Sequence, residues 1–191
     1  MNRNKTFNSA LIAFSAPSGA GKTTIVKILA EKYPEMLISV SATTRQIRAN
    51  EKHGKDYFFL SQPDFEEGIK GNRFLEYERV FDAYYGTLLE TVEHSLAQGK
   101  IVLFDIDVNG ALAVKKHYPQ AMLFFIKPPS VQALKDRLVG RKSETDSSMK
   151  KRLERLEYEY EQAKLFDYII INDELGKAVS EIESIITKSE I

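Results

Sequence analysis

The stretch Ala10-Leu-Ile-Ala-Phe-Ser-Ala-Pro-Ser-Gly-Ala-Gly-Lys-Thr-Thr-Ile-Val-Lys-Ile-Leu-Ala30 decides the fold. Residues 10–14 are continuously apolar and are bounded by Ser15, Pro17 and Gly19. Such a run fits a strand buried on both faces, as in a parallel sheet. From Lys22 the pattern changes. Ile25, Val26, Ile28 and Leu29 recur at helical spacing over residues 22–33, and Pro34 follows the stop. The chain therefore opens as strand, Gly-rich loop, helix. The loop, Ala16-Pro-Ser-Gly-Ala-Gly-Lys-Thr23, matches G-x-x-x-x-G-K-[ST] apart from its first position. Backbone N–H groups of such a loop cradle phosphates at a helix N-terminus. Lys22 would reach the β- and γ-phosphates of a nucleotide, and the Thr23 hydroxyl would ligate Mg²⁺. Ala16 in place of Gly implies that this position does not need a positive φ.

Outward from this stretch the buried-strand signature recurs at Ile101-Val-Leu-Phe104, Met122-Leu-Phe-Phe-Ile126 and Tyr168-Ile-Ile-Ile171. Helical stretches lie between. Thr87-Leu-Leu-Glu90 reads as a capping box opening a helix that stops at Gly99. Val108–His117 reads as a shorter helix. Ser130, after Pro128-Pro129, caps a third with Val131, Leu134 and Leu138 on one face. A last helix fills 174–188. Strands alternating with helices give an α/β fold with a parallel sheet.

Two segments break the alternation. Residues 39–86 hold short, partly alternating runs such as Tyr57-Phe-Phe-Leu60 and Phe74-Leu-Glu-Tyr-Glu78, punctuated by Gly54, Gly71 and Gly86. They read as a small β-rich insertion. Residues 139–157 are highly charged, begin with Gly140, and read as a mobile, helix-bearing flap. Both are expected over the C-terminal edge of the sheet, where open α/β folds bind ligands.

Composition excludes several classes. The 191 residues suit one domain or one core with insertions. Lys+Arg and Asp+Glu are both 27, so no bulk charge draws the chain to nucleic acid or to an anionic membrane. Cysteine is absent, which excludes disulfides, thiolate nucleophiles and Cys-based metal sites. His53, His94 and His117 lie far apart without metal-ligand spacing and read as surface or packing residues. No apolar run approaches the ~18–20 residues of a membrane span, and the run near the N-terminus is too short for a signal peptide. A cytoplasmic protein is expected.

Further residues carry chemistry. Asp105-Ile-Asp107 follows the strand 101–104, where carboxylates face the phosphate loop and help hold Mg²⁺, directly or through water. Spacing of two puts both on one side if the strand continues. Which serves the metal and which the acceptor stays open. Arg45 and Arg48 sit three apart in the hydroxyl-rich Ser39-Val-Ser-Ala-Thr-Thr-Arg45 segment and suit a dianionic phosphate. Tyr57, Tyr84 and Tyr85 offer phenol donors. Glu76 and Glu78 fall on one face of a strand. A carboxylate there can accept from guanine N1–H and from its exocyclic amine, a donor pair that adenine cannot present. Arg137, Arg141 and Arg152 flank or occupy the charged flap, and arginines neutralise charge on a moving phosphoryl group. The run Lys150-Lys-Arg-Leu-Glu-Arg-Leu-Glu-Tyr-Glu159 reads as a salt-bridged helix face.

Taken in order, these motifs resemble guanylate kinases of the bacterial type. The resemblance runs through the phosphate loop, Ser-Ala-Thr-Thr-Arg45-x-x-Arg48, Glu51-x-x-Gly54-x-Asp-Tyr57, Phe74-Leu-Glu76 and Tyr84-Tyr-Gly-Thr87. It continues through Asp105-Ile-Asp107-x-x-Gly110, Pro128-Pro-Ser, Leu138-x-Gly-Arg141, Arg152 and Ile171-Asn-Asp173, covering about residues 9–188. It implies the P-loop nucleoside-monophosphate-kinase fold. A CORE would comprise 9–38, 89–129 and 158–188, with a GMP-binding region at 39–88 and a LID at 130–157. It implies ATP + GMP ⇌ ADP + GDP with Mg²⁺. Ala16, Pro17, Ser18, Gly19, Ala20, Gly21, Lys22, Thr23, Arg137 and Asn172 would hold ATP, with Thr23 on the metal. Arg45, Arg48, Tyr57 and Tyr85 would clamp the GMP phosphate. Ser41, Glu76 and Thr87 would read guanine, with Asp107 nearby. Lys22, Arg141, Arg152 and Asp105 would be the catalytic set. The partners expected are these small molecules, with neither nucleic acid nor membrane, and the oligomeric state is left open between monomer and homodimer.

The sequence departs from the family pattern at Lys142, which follows Arg141 where Gly is usual. Ala49-Asn50, Asn109 and Ala83 depart as well, and none removes an expected ligand. Two other readings stand beside the first. One is a catalytically silent guanylate-kinase-like binding module, which would tend to have a degraded phosphate loop. The other is a related P-loop kinase with a different acceptor, against which Ser41, Glu76 and Thr87 speak.

Overall fold

Leu11–Ser15 forms strand β1, buried along its whole length. The period of two sends Ile12 and Phe14 into a core on one face of the sheet, and Leu11 and Ala13 into a core on the other. This is why the run is apolar without alternation. The computed structural model describes residues 7–80, 82–139 and 146–187, with backbone alone at 135, 138–139 and 146–154.

Chain order continues with α1 (Lys22–Lys32), β2 (Met36–Ile38), β3 (Ala42–Thr43), β4 (Phe58–Phe59), α2 (Gln62–Lys70), β5 (Phe74–Val80) and β6 (Ala83–Leu88). It then runs through α3 (Leu89–Ala97), β7 (Ile101–Asp105), α4 (Val108–His117), β8 (Met122–Lys127), α5 (Val131–Val139), α6 (Asp146–Ala163), β9 (Tyr168–Ile171) and α7 (Leu175–Ile186). Five parallel strands form the main sheet in the order β2-β7-β1-β8-β9. Ile25, Val26 and Leu29 of α1 and Ala178, Val179 and Ile182 of α7 cover one face. Val92 of α3, Val108, Ala111 and Val114 of α4, and Ala163 of α6 cover the other. The result is three layers, α/β/α. The chain leaves β1 toward β2 on one side and later passes from β7 to β8 on the other side of β1. The strand order therefore reverses at β1, which puts the ligand crevice at the carboxyl ends of β1, β7 and β8.

A second sheet, β4-β3-β6-β5, is built from residues 42–88. Its own small core is Ala42, Phe65 and Leu88, with Phe65 of α2 stacked 4.1 Å from Phe74 and 5.2 Å from Tyr84. The register of β5 on β6 shifts between Phe74 and Glu76. Gly86 pairs with Tyr77, just past that irregularity. A Cβ there would come within 2.7 Å of the Glu76 carbonyl oxygen and 2.9 Å of Tyr77 Cβ, so the two strands close only over glycine.

Four expectations are corrected here. Tyr168–Ile171 is a strand but not a buried one: β9 is the edge of the main sheet, with Ile170 buried and Tyr168, Ile169 and Ile171 exposed. Thr87 caps no helix. It belongs to β6, and α3 starts at Leu89 with Leu88 at its N-cap and no side-chain cap bond. The strand does not continue from Asp105 to Asp107. It ends at Asp105, and Asp107 is the N-cap of α4, accepting the Gly110 N–H at 2.8 Å. The 39–86 segment holds a helix as well as strands: α2, capped by Ser61 with Pro63 in its first turn. The expected cap at Ser130 is present, its hydroxyl oxygen accepting the Ala133 N–H at 3.0 Å. Arg141 and Lys142 lie outside the described residues. Arg152 lies on α6, its side chain outside them.

Candidate active site

The loop between β1 and α1 turns on two glycines. Gly19 and Gly21 have φ of 92° and 95°, a region that other residues enter only at a cost, whereas Ala16 is not among the positive-φ residues. Gly21 is the N-cap of α1 and offers no side-chain cap, which leaves the first-turn N–H groups to an anion. Lys22 starts the helix. Its Nζ donates to the Ile106 carbonyl at 2.5 Å and pairs with Asp105 Oδ1 at 2.9 Å. Both side chains are largely covered, at 18% and 22% exposure, so the pair is shielded from bulk water. Thr23, next along α1, is exposed.

Asn172 is almost fully buried and donates from Nδ2 to the Ala20 carbonyl at 2.7 Å. A Cβ on Gly21 would lie 2.4 Å from that Nδ2. Asn172 thus buttresses the phosphate loop from β9, and Arg137 of α5 donates to the Asn172 carbonyl at 3.0 Å. The two residues expected at ATP meet each other, and Asn172 meets the loop.

On the second sheet Arg45 grips Glu51 with both ends of its guanidinium, at 2.9 and 2.8 Å. It also lies 5.4 Å from the Tyr57 ring centroid, and the Tyr57 and Tyr85 rings meet edge to face at 6.1 Å. The Arg48 backbone N–H donates to Glu51 Oε2 at 2.9 Å. The paired Arg45 guanidinium, with help from that N–H, holds the Glu51 carboxyl at about 2, and the Arg45 pKa rises in turn. Arg45, Tyr57 and Tyr85 are therefore one cluster, with the exposed Arg48 beside it. Ser41 leads into β3, its carbonyl accepting the Phe58 N–H.

Glu76 Oε1 accepts the Thr87 hydroxyl at 2.6 Å. Its other oxygen faces Gly110 in the first turn of α4, where Asp107 also sits: a Cβ on Gly110 would lie 3.2 Å from Glu76 Oε2 and 3.3 Å from Asp107 Oδ1. Burial pushes the Glu76 carboxyl up, against the Thr87 hydrogen bond and with the help of the Asp107 charge. Burial also drives Glu78 up to about 7, assisted by a hydrogen bond and repulsion from Asp107, with Arg155 opposing.

Two residues of the site take a role only in the fold. Glu51 stood in a quoted motif, yet it is the carboxylate that orients Arg45. A carboxylate six residues after an arginine, across the turn at Asn50, was the signal. Arg155 was absorbed into a salt-bridged helix face. Its pair with Glu159 four residues on fits that reading, but its 3.1 Å contact with Asp107 reaches another element. Among the described residues no helix is long and apolar enough to cross a membrane.

The guanylate kinase family model matches residues 8–189. The chain is 47% identical to a guanylate kinase of Chlorobaculum tepidum, over 90% of its own length and 89% of that protein's. It is 47% identical to one of Bacteroides fragilis, over 91% and 86%. The crystal structure of guanylate kinase from Anaplasma phagocytophilum superposes with a TM-score of 0.73 at 27% identity, covering 95% of this chain and 86% of that one. A shikimate kinase from Bacteroides thetaiotaomicron, at 17% identity and a TM-score of 0.53, shares the fold alone. With its phosphate loop, its Lys22–Asp105 pair and its match to the family model over nearly the whole length, the chain belongs to the guanylate kinase family.

Proposed function

We propose that this chain transfers the γ-phosphoryl group of ATP to GMP or dGMP, giving ADP and GDP or dGDP. The observation that carries the reading is the paired arrangement at the first turn of α4. Glu76, buttressed by the Thr87 hydroxyl, and Asp107 face the same Gly110. Guanine presents N1–H and a 2-amine on one edge, so acceptor-only carboxylates suit it. Glu76 accepts N1–H and one amine hydrogen, and Asp107 accepts the other. Ser41 assists at the base. Arg45, Arg48, Tyr57 and Tyr85 hold the GMP phosphate, with Glu51 presenting the Arg45 fork.

The phosphate loop, residues 16–23, holds the ATP phosphates through its backbone N–H groups. Arg137 serves the ATP end, and Asn172 fixes the loop. Lys22, held in reserve by Asp105 and the Ile106 carbonyl, turns to the phosphates when they arrive. An oxygen of the GMP phosphate attacks the γ-phosphorus, and the bond to the β–γ bridging oxygen breaks. Lys22, Arg141 and Arg152 offset the charge spread over the moving group. Mg²⁺ supplies further charge neutralisation when bound. Thr23, exposed in the first turn of α1, would offer that ion a hydroxyl oxygen, the kind of donor a hard cation takes. The reading includes the division into CORE, GMP-binding region and LID, with α5 and the first part of α6 in the LID. It takes the enzyme as cytoplasmic, serving purine nucleotide metabolism.

Glu76→Gln tests the base assignment. An amide oxygen with an adjacent NH2 cannot accept both guanine donors. The ratio of kcat/KM for GMP to that for AMP is expected to fall about tenfold or more, the scale of one hydrogen bond to a charged group. An unchanged ratio would remove Glu76 from base recognition.

A further inference from the structure

Arg155 joins α6 to the base-reading end of the site. Its Nη2 donates to Asp107 Oδ2 at 3.1 Å and lies 4.0 Å from Glu78 Oε2. Its Nε donates to Glu159 Oε1 at 3.1 Å, on the same helix. The other oxygen of Asp107 accepts the Gly110 N–H. Each carboxylate oxygen has two acceptor sites, so these two grips fix the group in orientation and still leave lone pairs for a ligand. Tyr158, beside Arg155, donates to Asn109 Oδ1 at 2.6 Å, a second tie between α6 and the first turn of α4.

The electrostatics call for such a group. Glu76 and Glu78 come from β5, Asp107 from the head of α4 and Glu159 from α6, so four carboxylates converge. Lys22, which among the described residues also acts on Glu159, is engaged by Asp105. Arg155 answers the rest with one fixed fork of donors. It also stands one helical turn beyond Arg152, so the helix bearing a residue assigned to the phosphoryl group is bonded directly to a residue assigned to the base.

We propose that Arg155 is a positioning residue for base recognition: it holds the Asp107 carboxylate oriented to accept the guanine 2-amine, and thereby sets preference for GMP over purine monophosphates lacking that amine. The inference rests on the reading of Asp107 as a guanine ligand. Inosine monophosphate, the same purine without the amine, is the probe.

Steady-state constants for GMP, inosine monophosphate and ATP are measured in the parent enzyme, Arg155→Ala, Arg155→Lys, Asp107→Asn and the Arg155→Ala/Asp107→Asn double variant. Arg155→Ala is expected to raise KM for GMP about tenfold while leaving KM for inosine monophosphate and for ATP within about twofold. Arg155→Lys recovers most of the loss, and in the double variant the two losses do not add. A GMP-to-inosine monophosphate ratio unmoved in Asp107→Asn would sink the reading of Asp107 itself. A ratio lowered in Asp107→Asn but unmoved in Arg155→Ala would overturn the role of Arg155 alone. Equal losses on all three substrates, or additive losses in the double variant, would make Arg155 a merely structural contact and overturn it too.

Discussion

At the scale of the residue, Glu51 orders the Arg45 fork that the proposed function assigns to the GMP phosphate. A free guanidinium on a long stem samples many rotamers, and ordering it costs entropy at binding. Glu51 accepts from both ends of Arg45 and from the Arg48 backbone, so the fork is already ordered. Glu51→Gln is expected to raise KM for GMP several-fold with little change in KM for ATP, measured by steady-state kinetics. The pH dependence has a definite sign. Pairing lowers the Glu51 carboxyl from 4.5 to about 2, so its contribution to stability is fully present above 4.5 and lost as pH falls toward 2. Acid unfolding monitored by circular dichroism should show the parent more stable than Glu51→Gln at pH 6 and the difference gone near pH 2. A gap that persists at pH 2 would contradict the pairing.

At the scale of the element, the small sheet depends on one close approach. Gly86 is buried, and any side chain there runs into Glu76 and Tyr77 backbone-side atoms that cannot turn away. Gly86→Ala is expected to cost about 1–3 kcal/mol, as overpacking does. Because β6 carries Thr87 and Tyr85 and faces Glu76, GMP affinity should fall with stability. Thermal melts with and without GMP check this, and an unchanged melting temperature would contradict the packing. The elements also differed in how far the sequence revealed them. The strands buried on both faces, β1, β7 and β8, were visible as unbroken apolar runs. β2 was not, since a three-residue edge strand is too short to show a period. α2 hid behind Pro63, Gly68 and Gly71, although Ser61 and Asp64 marked its cap. Thr87 failed as a capping residue because tertiary contact took its hydroxyl: Glu76, eleven residues away, outbid the helix end.

At the scale of the whole molecule, the site is assembled from both sheets, with the phosphate loop where the order of the main sheet reverses at β1. The parallel sheet brings Lys22 to Asp105 and Asn172 to Ala20, and the packing of β5 on α4 brings Glu76 to Gly110, pairs separated by long stretches of chain. The residue types at each station were legible in the sequence. Their partners, Glu51 beside Arg45 and Arg155 beside Asp107, were not, because a charged helix face and a charged turn look alike until the fold sets each against a residue of another segment. On the proposed function, a phosphate loop and a carboxylate-lined base site serve the transfer of one phosphoryl group. A coupled ADP-release assay with Mg-ATP and a panel of GMP, dGMP, AMP, UMP, CMP and ribose 1,5-bisphosphate tests it most directly. Rapid turnover with GMP and dGMP, and with none of the others at comparable concentration, is the predicted result. Preferred turnover with another acceptor, or tight GMP binding with no ADP released, would contradict it.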